Sequence, residues 1–168
     1  MKCKPAPTFY RLNALRDFVA RAGAKRMVLA NGCFDPLHVG HIRYLADAKA
    51  RGDFLVVAVN DDASARRLKG EGRPIVAATD RAQLLAALDA VDAVLVFSED
   101  DVTHILDGLH PSVHAKGTDY TAESVPERAA AARLGIETVI TGDPKTHASR
   151  EIVARLRADT NDPGAGGP

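Results

Sequence analysis

The sequence lacks tryptophan altogether, and aromatic residues make up only 5% of it. Leucine, valine, isoleucine and alanine must therefore fill the core, and a hydrophobic content of 46% is enough for one. Cysteine is scarce too: Cys3 and Cys33 alone cannot make a disulfide framework or a four-ligand zinc site. Net charge is absent, with 22 Lys plus Arg against 22 Asp plus Glu, which argues against a broad basic nucleic-acid footprint and against an acidic tail. No apolar run approaches the ~20 residues of a membrane span. The opening stretch, MKCKPAPTFYRLNALRDF, has no apolar core of the kind a signal peptide needs. The expectation is a soluble, cytoplasmic chain whose 168 residues fit one domain, with no nucleic-acid or membrane partner.

What is present is a rhythm. Short, continuously apolar runs at 27–31, 54–60, 93–97, 112–116 and 136–141 read as strands covered on both faces. Between them, helical patterns run over 8–22, 38–50, 80–90, 102–109, 126–134 and 149–157. Gly23 stops the first of these, Thr79 serves as N-cap of the third, and Pro126 opens the fifth. The tail NDPGAGGP cannot pack and is expected to be disordered. This order predicts an α/β fold: a single-domain Rossmann-like open sheet of about five parallel strands with helices on both faces. The predicted organisation is an extension over 1–7, the domain over 8–158 and a tail over 159–168. Ligands of such sheets bind beyond the carboxyl ends of the strands, so chemistry is expected in the loops 32–41, 61–74, 98–101, 116–124 and 141–148.

The first of these loops reads Asn31-Gly32-Cys33-Phe34-Asp35-Pro36-Leu37-His38-Val39-Gly40-His41. It is neither a P-loop nor the dinucleotide fingerprint. His38 and His41 are three residues apart at the start of a helix and so share a face. Gly40 between them lets a ligand approach the backbone. A helix N-terminus already favours phosphate, and two imidazole donors there suit a polyphosphate. Two other readings stay open at this point: a metal-ligand pair, for which spacing fixes no third ligand, and ordinary surface histidines. Cys33 has no histidine or aspartate placed around it in a thiol-enzyme pattern, so it is not read as a nucleophile.

The loop resembles the signature of the HxGH nucleotidyltransferase superfamily. Three further stretches follow in order: Arg67-Leu68-Lys69-Gly70-Glu71-Gly72-Arg73-Pro74; Asp80-Arg81 leading to Ala90-Val91-Asp92; and Lys116-Gly117-Thr118-Asp119-Tyr120. Together they are similar to the adenylyltransferase domain of bacterial heptose kinase/adenylyltransferases, over residues 8 to 157. The resemblance implies transfer of AMP from ATP to D-glycero-β-D-manno-heptose 1-phosphate, giving ADP-heptose and pyrophosphate.

By that resemblance His38, His41 and Lys69 are the catalytic residues, the histidines donating to phosphate as imidazole or imidazolium. Gly32, Cys33, Phe34, Asp35, Gly40, Arg73, Arg81, Lys116, Gly117 and Asp119 line the nucleotide. Asp35 has three candidate roles: orienting a histidine, holding Mg²⁺ that comes with ATP, or shaping the turn. Arg81 has a second reading as a brace through ion pairs. Relatives often carry a Ser/Thr-rich stretch before the last helix; here Thr146, His147 and Ser149 stand in it, while Ala148 removes one hydroxyl. Many relatives are fused to a sugar kinase; the length of this chain predicts a separate heptose kinase. The oligomeric state stays open, a homodimer included. The rivals are another HxGH enzyme, such as a glycerol-3-phosphate cytidylyltransferase, and a non-catalytic nucleotide-binding module.

Overall fold

In a computed structural model, residues 4–121, 123–143 and 153–154 are described. The elements in chain order are β1 (Thr8–Phe9), α1 (Leu12–Ala22), β2 (Met27–Gly32), α2 (Val39–Lys49), β3 (Phe54–Asn60), α3 (Asp62–Lys69), α4 (Ala78–Ala86), β4 (Ala93–Phe97), α5 (Thr103–Leu109), β5 (Val113–Gly117), α6 (Arg128–Arg133) and β6 (Glu137–Thr141). The six strands form one sheet in the order β1-β4-β3-β2-β5-β6, and every pairing is parallel.

The apolar runs are continuous because both faces of the sheet are covered. Along β2, Val28 and Ala30 face one core with α2 and α4, through Leu45, Ala48, Ala82 and Leu85. Met27 and Leu29 face the other, with Leu15 of α1, Ile105 and Leu106 of α5 and Ala131 of α6. The period-two alternation of a strand thus appears as two apolar sets rather than as apolar against polar. Burial of this kind contributes about 25 cal/mol per Å² of apolar surface, so the central strands carry most of the stability.

All five expected strands form, and a sixth joins them. The helical spacing of Phe9 with Leu12 is misleading, since Thr8 and Phe9 pair with Val94 and Leu95 of β4. Phe9 then packs on Phe18 at 5.3 Å, so α1 begins only at Leu12. Ahead of β1, Ala6 is buried and its N–H donates to Ala86 O. The segment 61–74, read as a loop, contains α3: Asp61 caps it by accepting the Ser64 N–H at 2.7 Å, and only Ser64 and Ala65 are buried. Thr79 is not a cap. Ala77 holds that position, and the Ala78 N–H donates instead to Asp62 at 2.7 Å. α6 starts at Arg128 because Glu127, before it, turns its carboxylate to Lys116. Gly23 ends α1 in the left-handed region (φ 69°), where a residue without Cβ is unstrained. The expected helix over 149–157 and the tail lie outside the described residues, apart from two helical positions, 153–154.

β2 has β3 on one side and β5 on the other, and the chain order reverses between β2 and β5. The crevice at the carboxyl ends of these two strands is the switch point, where open α/β sheets take ligands.

Candidate active site

The loop after β2 turns sharply at Phe34 (φ 51°), whose buried ring stacks on Tyr44 at 6.4 Å and meets His41 edge-on at 5.1 Å. The Tyr44 hydroxyl donates to Ala115 O of β5 at 2.8 Å, so the first turns of α2 are tied across the crevice. Burial pushes the Tyr44 phenol well above its ordinary range, so it stays a donor.

His38 is the N-cap of α2, and the two histidines cap each other's turn. The Gly40 N–H donates to His38 Nδ1 at 3.1 Å, and the His38 N–H donates to His41 Nδ1 at 3.3 Å. The rings are stacked with centroids 3.9 Å apart. With both Nδ1 atoms accepting from the backbone, the neutral tautomer of each ring carries its proton on Nε2. Burial, then the charges of His38 and Lys69, hold the His41 pKa at about 3. His41 is therefore a neutral donor at pH 7 in the ligand-free protein, and not an imidazolium. Lys69, the last residue of α3, is exposed and has no hydrogen-bond or ion-pair partner among the described residues. Its charge acts on both His41 and Cys33.

Four other expected nucleotide ligands, Asp35, Arg73, Arg81 and Lys116, have partners within the protein. Asp35 is 3% exposed and accepts from the Ile75 N–H at 2.9 Å, the Val76 N–H at 2.8 Å and Arg73 Nη1 at 2.8 Å. Of its three candidate roles, shaping the turn is the one the geometry supports: it neither touches a histidine nor keeps an oxygen for a metal. The Asp35 pair likewise engages Arg73. Arg81 is 1% exposed and donates to Val76 O, Cys33 O, Asn60 O and Asp62, so four of its five N–H groups are engaged within the protein. These contacts brace the loop, the second of the two readings of Arg81. Lys116 is also buried: its Nζ lies 3.0 Å from Glu127 Oε2, 3.2 Å from Asn31 Oδ1 and 4.9 Å from the centre of the Tyr120 ring.

Cys33 Sγ donates to Asn60 Oδ1 at 3.7 Å, and burial pushes its thiol up, away from the thiolate a nucleophile requires. Its carbonyl is the group Arg81 holds. Gly32 ends β2, and Gly117 ends β5 with open space where a Cβ would stand. Asp119 is exposed in the turn that follows. Thr146, His147 and Ser149 lie outside the described residues. No group of three or more His, Cys, Asp or Glu side chains among the described residues could hold a metal ion, so the metal reading of His38 and His41 lacks a third ligand here. No helix among them is long and apolar enough to cross a membrane.

Sequence reasoning missed Glu127, Asn31 and His114. The His114 ring, fully buried, has Nε2 at 3.1 Å from Asn31 Oδ1 and no partner on Nδ1. Burial and the Lys116 charge lower its pKa to about 4, against a smaller upward pull from Glu127. A polar residue within each of two apolar strand runs was the available signal. Beyond β4 lies a separate cleft of about 450 Å³, lined in part by Tyr10, Asp61, Asp62, Glu99 and His104. Asp62 links it to Arg81 and so to the loop.

The chain is similar to proteins named bifunctional protein HldE. That of Geobacter sulfurreducens is 50% identical over 119 residues, 70% of this chain and 24% of the relative. That of Geotalea uraniireducens is 46% identical over 150 residues, 87% of this chain and 30% of the relative. The chain thus spans between 24% and 30% of the length of these two relatives. Among solved structures, the lipopolysaccharide core biosynthesis protein of Thermoplasma volcanium matches with a TM-score of 0.61 and 29% identity, over 71% of this chain and 98% of that one. Pantothenate synthetase of Thermus thermophilus shares the fold with a TM-score of 0.66 at 15% identity, over 90% of this chain and 70% of that one. The family model described as cytidylyltransferase-like matches residues 29–156, and the chain belongs to that family.

Proposed function

We propose that this chain transfers AMP from ATP to D-glycero-β-D-manno-heptose 1-phosphate, releasing pyrophosphate and forming ADP-heptose. The observation that carries the reading is the stacked His38–His41 pair, whose Nδ1 atoms are both occupied by backbone N–H groups at the start of α2. Two fixed Nε2 donors at a helix N-terminus, with the Lys69 ammonium beside them, suit phosphate whose charge shifts during transfer. The printed name of the Thermoplasma volcanium neighbour, a lipopolysaccharide core biosynthesis protein, agrees with a sugar acceptor, and the motif resemblance narrows it to the heptose.

A phosphate oxygen of the sugar attacks the α-phosphorus in line. One P–O bond forms there as the bond to the α–β bridging oxygen breaks, and the electron pair leaves on pyrophosphate. The attacking oxygen is anionic at pH 7, so no general base is required. Catalysis rests on positioning and on stabilising charge. The histidine Nε2–H groups donate to phosphate oxygens, Lys69 neutralises charge on them, and the amides of Cys33 and Phe34 face the α-phosphate. Gly32, Gly40, Gly117 and Asp119 border the nucleotide, as do Thr146, His147 and Ser149. Asp35 is already engaged within the protein, so Mg²⁺ would be held by the ATP phosphates, where it would neutralise part of their charge. A kinase reaction supplies the sugar 1-phosphate.

Pyrophosphate release, measured with each nucleoside triphosphate against a panel of sugar and polyol phosphates, tests this. Turnover is expected with ATP and the heptose 1-phosphate. Equal or faster turnover with CTP and glycerol 3-phosphate would overturn the heptose assignment. Nucleotide binding without turnover on any acceptor would favour a non-catalytic module.

A further inference from the structure

The floor of the crevice holds a buried ionic strut. Glu127, 3% exposed and just ahead of α6, accepts the Val102 N–H at the start of α5 at 3.4 Å and pairs with Lys116 at the end of β5. Lys116 donates in turn to Asn31 Oδ1 on β2, one residue before Gly32 and two before Cys33. The same ammonium sits against the face of Tyr120, in the turn where the Tyr120 N–H donates to Gly117 O at 3.1 Å. One carboxylate thus ties α5, β5, the 117–120 turn and the end of β2 together across the switch point.

Such a strut is a poor means of gaining stability. Removing two charges from water is costly, and replacing a buried pair by apolar residues of similar volume is often neutral or stabilising. Its place matters more. It lies beneath the strand ends that flank the crevice, where His114 Nε2 of β5 also meets Asn31 Oδ1 at 3.1 Å, while the β2–β5 pairs Val28–Val113 and Ala30–Ala115 are apolar.

We propose that Glu127 is a positioning residue for the nucleotide, acting through Lys116 to fix the 117–120 turn against the end of β2. This rests on the nucleotidyl-transfer reading above, and deepens it by assigning nucleotide affinity to a residue that touches no substrate. Glu127→Gln keeps a hydrogen bond to Lys116 but loses the charge. It is expected to raise the ATP Kd and KM about tenfold, to move kcat less than KM, and to leave the KM of the acceptor unchanged.

The double variant Lys116→Met/Glu127→Met separates positioning from stability. It is expected to melt at or above the wild-type temperature and still to bind ATP about tenfold more weakly. Calorimetric titration with ATP and with CTP, alongside melting temperature, measures both on one preparation. Wild-type nucleotide affinity in the double Met variant, or in folded Glu127→Gln, would overturn the proposal. A wild type that prefers CTP would sink the adenylyl reading alone, because the variant-to-wild-type ratio is then read on CTP. A wild type that binds neither nucleotide would overturn both.

Discussion

The cationic groups around the crevice divide into two kinds. On the α3 side Lys69 is exposed, with its charge open to a ligand and felt at His41 and Cys33. Arg81 and Lys116 are buried at 1% and 4% exposure, and each is engaged by carbonyl or carboxylate oxygens of the protein itself. All three stand in stretches that carry the family resemblance. Burial and partner accounting, not the motif, separates a cation left open to a ligand from one that holds the loop in place. The histidines show the same division within one ring: Nδ1 belongs to the helix cap, and Nε2 is the atom proposed to meet the ligand.

The largest expected effect breaks the ligand side. Removing one preorganised donor of this type typically lowers kcat about 10²–10³-fold, or roughly 3–4 kcal/mol. His41→Ala and His38→Ala should lose turnover by that order while ATP affinity changes far less. His38→Ala should also lose about 1 kcal/mol of stability, because its Nδ1 caps the Gly40 N–H. Asn at either position can donate without charge, and the neutral state of His41 means that Asn should recover part of the loss. Near-wild-type kcat in both folded alanine variants would remove the active site from this loop.

The next effect breaks the structural side. Arg81→Met keeps the stem but leaves the carbonyls of Cys33, Asn60 and Val76 without their donor. Each buried carbonyl left unpaired costs about 1–3 kcal/mol, so a loss on the order of 3 kcal/mol or more is expected in urea unfolding. A stable Arg81→Met protein with only a raised ATP Kd would mean that the side chain turns to the ligand after all.

His114 sharpens the comparison through pH. Its folded pKa of about 4 lies below the ordinary 6.5, so the fold holds the ring neutral. Below pH 6.5 the unfolded chain takes up the proton first, so stability falls as pH drops toward 4 and is complete above 6.5. The loss over that window is on the order of 2–3 kcal/mol. His41, with its pKa of about 3, acts in the same direction. His114→Gln should flatten the fall of melting temperature between pH 6.5 and 4; an unchanged slope would show that His114 is not the group responsible. Smaller again is Lys69→Met. It removes one charge-assisted contact, about 1.5–3 kcal/mol in kcat/KM, with no change in melting temperature.

The fold was largely legible because strands covered on both faces leave apolar runs, as β2, β3 and β4 do; β5 carries His114 and Lys116 and the edge strand β6 carries Glu137 and Thr138, so their signal was weaker. β1 was not legible, since two residues paired to β4 carry no periodicity. α3 was hidden by its polarity: it buries only Ser64 and Ala65 and depends on the Asp61 cap. In the site, the histidine spacing was readable because both rings belong to one helical turn. The fates of Arg81 and Lys116 were not, because their partners come from elsewhere in the chain: Asp62 is 19 residues from Arg81, and Glu127 is 11 from Lys116. A motif records which residues gather, while the direction each side chain takes depends on tertiary partners.

Cys33 gives the smallest expected effect and the sharpest test of which atoms of the loop matter. Its thiol points to Asn60, its carbonyl is held by Arg81, and burial keeps the sulfur protonated. The backbone of Cys33 is therefore fixed from behind, and its N–H is the atom proposed to face the α-phosphate. Serine preserves that backbone, and its hydroxyl can donate to Asn60 Oδ1 in place of the thiol. Cys33→Ser should keep kcat within about threefold of wild type, a change below about 1 kcal/mol. Thiol alkylation of the wild type should be slow for the same reason. Loss of turnover in folded Cys33→Ser, with a covalent nucleotide trapped on the wild-type sulfur, would replace direct in-line transfer by a two-step route through the thiol.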